Sequence, residues 1–282
     1  MRFTEADTLG LHKYPLVAQQ ELMLVDGACF CWALIPLLQG SLRSFLTQHT
    51  TDWNSTLGLT VSLARGLAFL HADIWKDGHH KPSIVHRDLT SQNVLVKADT
   101  TCAISDFDLA LMLPSCRKIG GQHENVHAMK AVGTLRYMSP EILEGCVNLK
   151  CWEATLKQAD VYSMGLIIWE TFSRCNSFYP SRAAVPEFRM AFEAELGQET
   201  HFKELWALVF VERRRPVLPE VWKKDPEIYC SLKETLEDCW DPDAEARLTA
   251  LCAEQRLRSL MAVNTPNQSR QNVVDSIIIG GT

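Results

Sequence analysis

The sequence predicts an α+β fold, in which a few short strands precede a larger, mainly helical body. Three observations point to it. Before Ser41 the apolar residues come in short runs, Glu21 to Val25 and Ala28 to Ile35, the pattern of strands in a small sheet. From Leu42 the spacing turns helical, with Leu42, Phe45 and Leu46, then Leu57, Val61, Leu63, Ala64, Leu67, Ala68 and Leu70. Further on, Tyr162 to Phe172 is an almost continuous apolar run with Asp160 just before it and Glu170 near its end, which suits a central buried helix. A chain of 282 residues accommodates one large domain or two lobes around a cleft.

Taken in order, Arg2 to Ala6 reads as a strand, followed by a polar loop holding Gly10 and Pro15 and then the two apolar runs. Two helices follow, the second long enough to cross a domain. Glycine, lysine and proline between Asp77 and Pro82 break the helical pattern. The compact segment Ile84 to Ile104 carries two short apolar runs, Val94 to Val96 and Cys102 to Ile104, which predict a hairpin. Pro114 to Lys130 is polar and non-periodic, so it reads as a long loop. After the central helix, further helical patterns lie at Glu187 to Leu196, Glu204 to Val211, Ser231 to Trp240 and Ala250 to Met261. The tail from Asn264 is polar apart from Val273, Val274 and Ile277 to Ile279, which fit no predicted element. The resulting boundaries are 1–38 for the sheet portion, 39–262 for the helical body and 263–282 for a tail predicted to be disordered.

Composition excludes several classes. A formal net charge of -6 gives no footprint for nucleic acid or an anionic membrane, and the one tight basic run, Arg213 to Arg215, suits a solvated face or a local carboxylate partner. Ten irregularly spaced cysteines without a secretory leader suggest reduced, mostly buried thiols. Neither Cys29 with Cys31 nor Cys146 with Cys151 has a second pair at zinc-ligand spacing. The most apolar stretch, Ala28 to Leu38, is shorter than the ~20 residues of a membrane span.

The residues that carry chemistry are concentrated in two places. His86, Arg87 and Asp88 are followed by Asn93, five positions after the aspartate, and Asp106 opens Asp106-Phe107-Asp108 thirteen positions later, across the predicted hairpin. This spacing resembles that of a protein-kinase catalytic loop and its metal carboxylate, a resemblance which implies that Asp88 takes the proton of a substrate hydroxyl while Asn93 and Asp106 face a divalent cation on nucleotide phosphates. Downstream, Val132 to Glu141 ends in Ser139-Pro140-Glu141, and Arg247 lies in Asp241 to Leu248. Singly, His86 could be a core histidine, Asp106 a turn residue, Glu141 a neighbour of a helix cap and Arg247 a surface charge. Their order and spacing favour the protein-kinase reading over these separate ones.

Together these segments resemble a protein kinase. Gly66 to His71, Val132 to Gly145, Ala159 to Glu170, Phe192 to Gly197 and Glu212 to Trp222 are similar to the type II receptor serine/threonine kinases of the transforming-growth-factor-β superfamily, a resemblance that runs from about Arg2 to Met261. It implies a kinase fold with a truncated N-lobe and a mainly helical C-lobe, ATP as substrate, magnesium or alternatively manganese as cation, and a type I receptor as partner. It further implies that Asp88 is catalytic, that Asn93 and Asp106 hold the metal, and that Ile35, Leu37 and Leu95 contact adenine. His86, Arg87, Phe107, Glu141, Asp160 and Arg247 would support the site, Asp160 through the catalytic-loop backbone and Glu141 through a pair with Arg247. The chain would belong to the cytoplasmic portion of a single-pass plasma-membrane receptor, with no membrane segment of its own.

Departures from the pattern define a second reading. The first forty residues hold no G-x-G-x-x-G, and Lys13 is the only lysine before Lys76, so the strands carrying the phosphate loop are expected to be missing and nucleotide binding to be weak. Asp108 stands where a glycine normally follows the phenylalanine, adding a charge and a β-carbon. Thr90 occupies a position that is lysine in many serine/threonine kinases. With so little N-lobe, Leu95 and Phe107 are expected to face water. The alternative is therefore a catalytically dead, pseudokinase-like fragment acting as a binding module or decoy.

Overall fold

The computed structural model describes residues 38–114, 131–145 and 152–262. The N-terminal strands, Ile35, Leu37, the loop expected over Pro114 to Lys130 and the polar tail lie wholly or almost wholly outside the described residues.

Strand β1 (Leu38–Ser41) leads directly into α1 (Leu42–Gln48), and α2 (Trp53–His71) follows. Both helices start on side-chain caps that satisfy a free backbone donor: Ser41 Oγ accepts from Ser44 N at 3.2 Å, and Asp52 Oδ1 from Ser55 N at 2.7 Å. The expected hairpin is β5 (Val94–Lys97) and β6 (Cys102–Ile104), antiparallel, with Leu95 opposite Ala103. β1 pairs with β5 on its other side, giving a three-stranded sheet. After the short α3 (Pro140–Glu144), the central helix is α4 (Trp152–Ser173), beginning well before the apolar run that predicts it. Two longer helices close the body, α7 (Pro226–Cys239) and α8 (Ala250–Leu260); between them and α4 lie the short α5 (Glu193–Leu196) and α6 (Phe202–Trp206). α8 packs along α2, and α7 contacts both α4 and α8. Trp53, Phe172, Phe178 and Trp222 meet at ring-centroid separations of 5.3 to 6.3 Å to form an aromatic centre for the core. This is the α+β kinase-like architecture, small strands beside a mainly helical lobe.

Four local expectations need correction. The break before Pro82 is a second hairpin, β2 (Ile74–Lys76) with β3 (His79–Lys81), turned through Asp77 and Gly78, both at positive φ. The pattern at Glu187 to Leu196 is helical only at its end, because Phe192 takes a left-handed φ of 60° and its apolar neighbours are buried as an irregular segment. Glu204 to Val211 changes after Trp206 from α-helix to a π turn, Ala207–Val211. Phe107 does not face water: only 9% exposed, it packs edge-on against His86 with ring centroids 5.1 Å apart. Leu95 is half-buried. Among the described cysteines, Cys102, Cys175 and Cys239 are buried and none is bonded to another. No helix of the described residues is long and apolar enough to cross a membrane.

Candidate active site

The loop between β4 (Ile84–Val85) and β5 carries His86 to Asn93. Its backbone is fixed from below by Asp160 of α4, which is 2% exposed. Asp160 Oδ2 accepts from His86 N at 2.7 Å and from His71 Nε2 at 3.0 Å, while Oδ1 accepts from Arg87 N at 2.8 Å. These contacts hold Arg87 at φ 69°, a left-handed conformation that costs a non-glycine residue about 1–3 kcal/mol. His71 sits at the end of α2; burial pushes its imidazole below the ordinary value, against the opposing pull of Asp160, so it donates to the carboxylate without carrying a charge near neutral pH.

His86 is fully buried and joins two segments. Its Nδ1 accepts from Asp88 N at 3.3 Å, so Nε2 carries the proton and donates to Ser105 O at 3.0 Å. Ser105 in turn donates through both N and Oγ to Asn93 O, each at 2.9 Å. Asp106, the next residue, is thereby set beside Asn93 at φ 65°, with its carboxylate exposed.

Asp88 itself is held on both carboxylate oxygens. Asn93 Nδ2 donates to its Oδ2 at 3.1 Å and to its backbone O at 2.9 Å, and Thr134 N donates to Oδ1 at 2.8 Å. Thr134 can come this close because Gly133 precedes it at φ 103°; a β-carbon there would lie 2.4 Å from Arg87 O. The Asn93 amide oxygen accepts no hydrogen bond among the described residues. One exposed carboxylate and one free amide oxygen are hard donors of the kind magnesium takes when substrate phosphates complete its shell. Asp88 opens on a cleft of about 430 Å³ bounded also by Thr90, Asn93 and the segment Thr134 to Tyr137.

Further from the loop, Arg247 has a completely buried side chain that meets Glu141 in a two-point pair, Nη1 to Oε1 and Nη2 to Oε2, both 2.8 Å. Ser139 Oγ also donates to that carboxylate. Asp108 is exposed. The structure thus brings together His86, Arg87, Asp88, Asn93, Asp106, Phe107 and Asp160, joins Glu141 to Arg247 elsewhere in the lobe, and places Leu95 on β5. Sequence reasoning missed the contributions of His71, Ser105 and the Thr134 amide; the glycine of Val132-Gly133-Thr134 was the one available signal of a close backbone approach.

Comparison with known proteins decides the family, since the pattern of protein tyrosine and serine/threonine kinases matches residues 4–257. The chain belongs to that kinase family. This kinase chain is 48% identical over 244 residues to the anti-Müllerian hormone type-2 receptor of Homo sapiens, covering 84% of the chain and 42% of the receptor. It is 49% identical over 230 residues to the same receptor of Oryctolagus cuniculus, covering 79% and 40%. With the activin receptor type-2A of Gallus gallus it shares 43% over 221 residues, covering 78% and 40%. The kinase chain therefore spans about two fifths of the length of the receptors it matches.

Proposed function

We propose that this chain is the kinase portion of a type II receptor of the transforming-growth-factor-β superfamily, transferring the γ-phosphoryl group of ATP to serine or threonine of a type I receptor. The observation that carries the reading is the setting of Asp88: both oxygens are oriented by neighbours, and the carboxylate faces an open cleft. In that setting Asp88 accepts the proton of a substrate hydroxyl as the hydroxyl oxygen bonds to the γ-phosphorus and the bond to the ADP oxygen breaks. Asn93 and Asp106 would hold the magnesium or manganese ion, which supplies positive charge to the phosphates when bound. His86 and Asp160 keep the loop in register, and Leu95 offers an apolar surface for adenine; Ile35 and Leu37 are proposed as its other contacts. By this reading the chain is the cytoplasmic part of a membrane receptor.

A second reading is favoured by Asp108, whose exposed carboxylate stands two residues from Asp106 and adds negative charge where phosphates would sit. It holds that the lobe binds receptor partners without chemistry. The test is phosphate transfer from ATP to a type I receptor's cytoplasmic segment, at high ATP concentration because nucleotide binding is expected to be weak. Asp88→Asn should lower the rate by about 100- to 10,000-fold with little change in melting temperature. Equal transfer by wild type and Asp88→Asn refutes the assignment. Binding of the type I segment with no transfer by either protein supports the second reading.

A further inference from the structure

We propose that the cleft beside Asp88 selects substrates bearing an anionic side chain, acidic or already phosphorylated, near the acceptor residue, and that Arg43 is the residue that reads it. The inference rests on the reading of Asp88 as the acceptor site and adds a substrate class to it.

Arg43 is set firmly against the loop that carries Asp88. Its backbone N–H donates to Ser91 O at 2.8 Å, and two residues earlier Ser41 Oγ donates to Gln92 Oε1 at 3.3 Å. Its side chain lines the same cleft as Asp88 and is exposed, and its guanidinium makes no hydrogen bond or ion pair among the described residues. The other cation in the cleft wall, Arg136, is occupied: it is 3% exposed and donates to Ala191 O, Gly197 O and Gln198 O at 2.7 to 2.9 Å. Among the described residues of the lining Asp88 is the one acidic side chain, and both its oxygens already accept hydrogen bonds. A peptide laid in this cleft therefore meets one uncommitted charge, a guanidinium whose planar fork matches a carboxylate or a phosphate in two parallel hydrogen bonds. A lysine or arginine at the same place on the peptide would meet like charge in a partly desolvated groove.

The test is a binding measurement in which no phosphate moves. Short fluorescent peptides, with the acceptor serine replaced by alanine, carry glutamate, phosphoserine, glutamine or lysine at one neighbouring position at a time, and anisotropy reports their affinity for the purified full chain. At one position glutamate and phosphoserine should bind about tenfold more tightly than glutamine, and lysine more weakly still. The glutamate and phosphoserine arms separate a plain acidic requirement from a priming phosphate. Arg43→Gln should remove the preference, Arg43→Lys should keep part of it, and Arg43→Glu should reverse it, all with unchanged melting temperature. Affinities that are equal or unmeasurable at every position, or a preference that survives Arg43→Gln, overturn the proposal. Repeating the series with serine restored and ATP added separates the two readings. Anion-selective binding through Arg43 without transfer upholds the subsite and sinks the kinase assignment, whereas transfer with equal kcat/KM for glutamate and glutamine peptides does the opposite.

Discussion

Replacing Asp160 with asparagine tests whether α4 holds the loop that carries Asp88. The carboxylate serves three donors, the N–H groups of His86 and Arg87 and the Nε2 of His71, at 2.7 to 3.0 Å, and is 2% exposed. Asparagine keeps the volume and one oxygen but turns an NH2 toward at least one of those donors. One charge-assisted hydrogen bond is lost, and a buried donor is left facing another donor, for a total of about 3–5 kcal/mol. For a chain of this size that lowers the melting temperature by roughly 6–20 °C. The loss should be local as well as global, because Arg87 no longer has the partner that holds its left-handed backbone. Differential scanning fluorimetry reads the first effect, and amide hydrogen exchange at His86 and Arg87 reads the second. A melting temperature within about 1 °C of wild type, with unchanged protection of those two amides, refutes the reasoning.

Three further perturbations follow from the same geometry. Glu141→Gln strands the fully buried Arg247 guanidinium and should cost about 3–5 kcal/mol in urea denaturation; a loss below about 1 kcal/mol would show that the Asp241 and Gln158 carbonyls suffice. Lys81 is buried with its ammonium on the carbonyls of Leu70, Ala72 and Pro82, and burial lowers it to about 7, so the unfolded chain binds the extra proton above pH 7 and stability rises with pH from there toward 10.5. Between pH 7 and about pH 8.5 wild type should gain about 1–2 kcal/mol more than Lys81→Met, and equal gains would contradict the burial of the charge. Gly133→Ala places a β-carbon 2.4 Å from Arg87 O at a φ of 103°, so the Thr134 contact to Asp88 should break and phosphate transfer should fall about 100-fold; undiminished transfer would show that the contact is dispensable.

How much of this was legible depended on whether the signal was local. The hairpin of Val94 to Ile104, the α2 helix and the spacing of His86, Asp88, Asn93 and Asp106 could be read because period and order along the chain fix them. The β2–β3 hairpin was missed because His79, His80 and Lys81 lack strand composition, although Asp77-Gly78 is a turn signal in its own right. Lys81 pointing inward was not readable, since its partners are the orphan carbonyls around the end of α2, which exist only once that helix stops at His71. The expectation that Phe107 faces water rests on the loss of N-lobe cover, whereas the cover comes from His86 within the same lobe, which no local pattern announces. The left-handed φ of Arg87 and Asp106 likewise depends on contacts made across the fold, with Asp160 in one case and the Ser105–Asn93 junction beside the other.

The central helix explains why these contacts form a single unit. A helix that is apolar on all sides is buried on all sides, so each polar residue within it must find a partner or be costly. In α4, Asp160, Ser163 and Glu170 fall within about 80° of one another at 100° per residue, and so share one face. Asp160 takes the backbone of His86 and Arg87, and Ser163 Oγ donates to Tyr137 O at 2.8 Å. Glu170 Oε1 accepts from Tyr137 Oη at 2.8 Å and from Ala191 N at 2.9 Å, while burial raises its carboxyl above the usual range. Tyr137 is therefore tied to α4 at both its carbonyl and its hydroxyl, three residues after the Thr134 amide that binds Asp88. The two segments that orient Asp88 are both referenced to one rigid face, so a shift of that face would move the loop and the Thr134 segment together and leave the 2.8 Å contact between them intact. Separating the two takes either a change that uncouples one of them from α4, as at Asp160, or a side chain forced directly between them, as at Gly133.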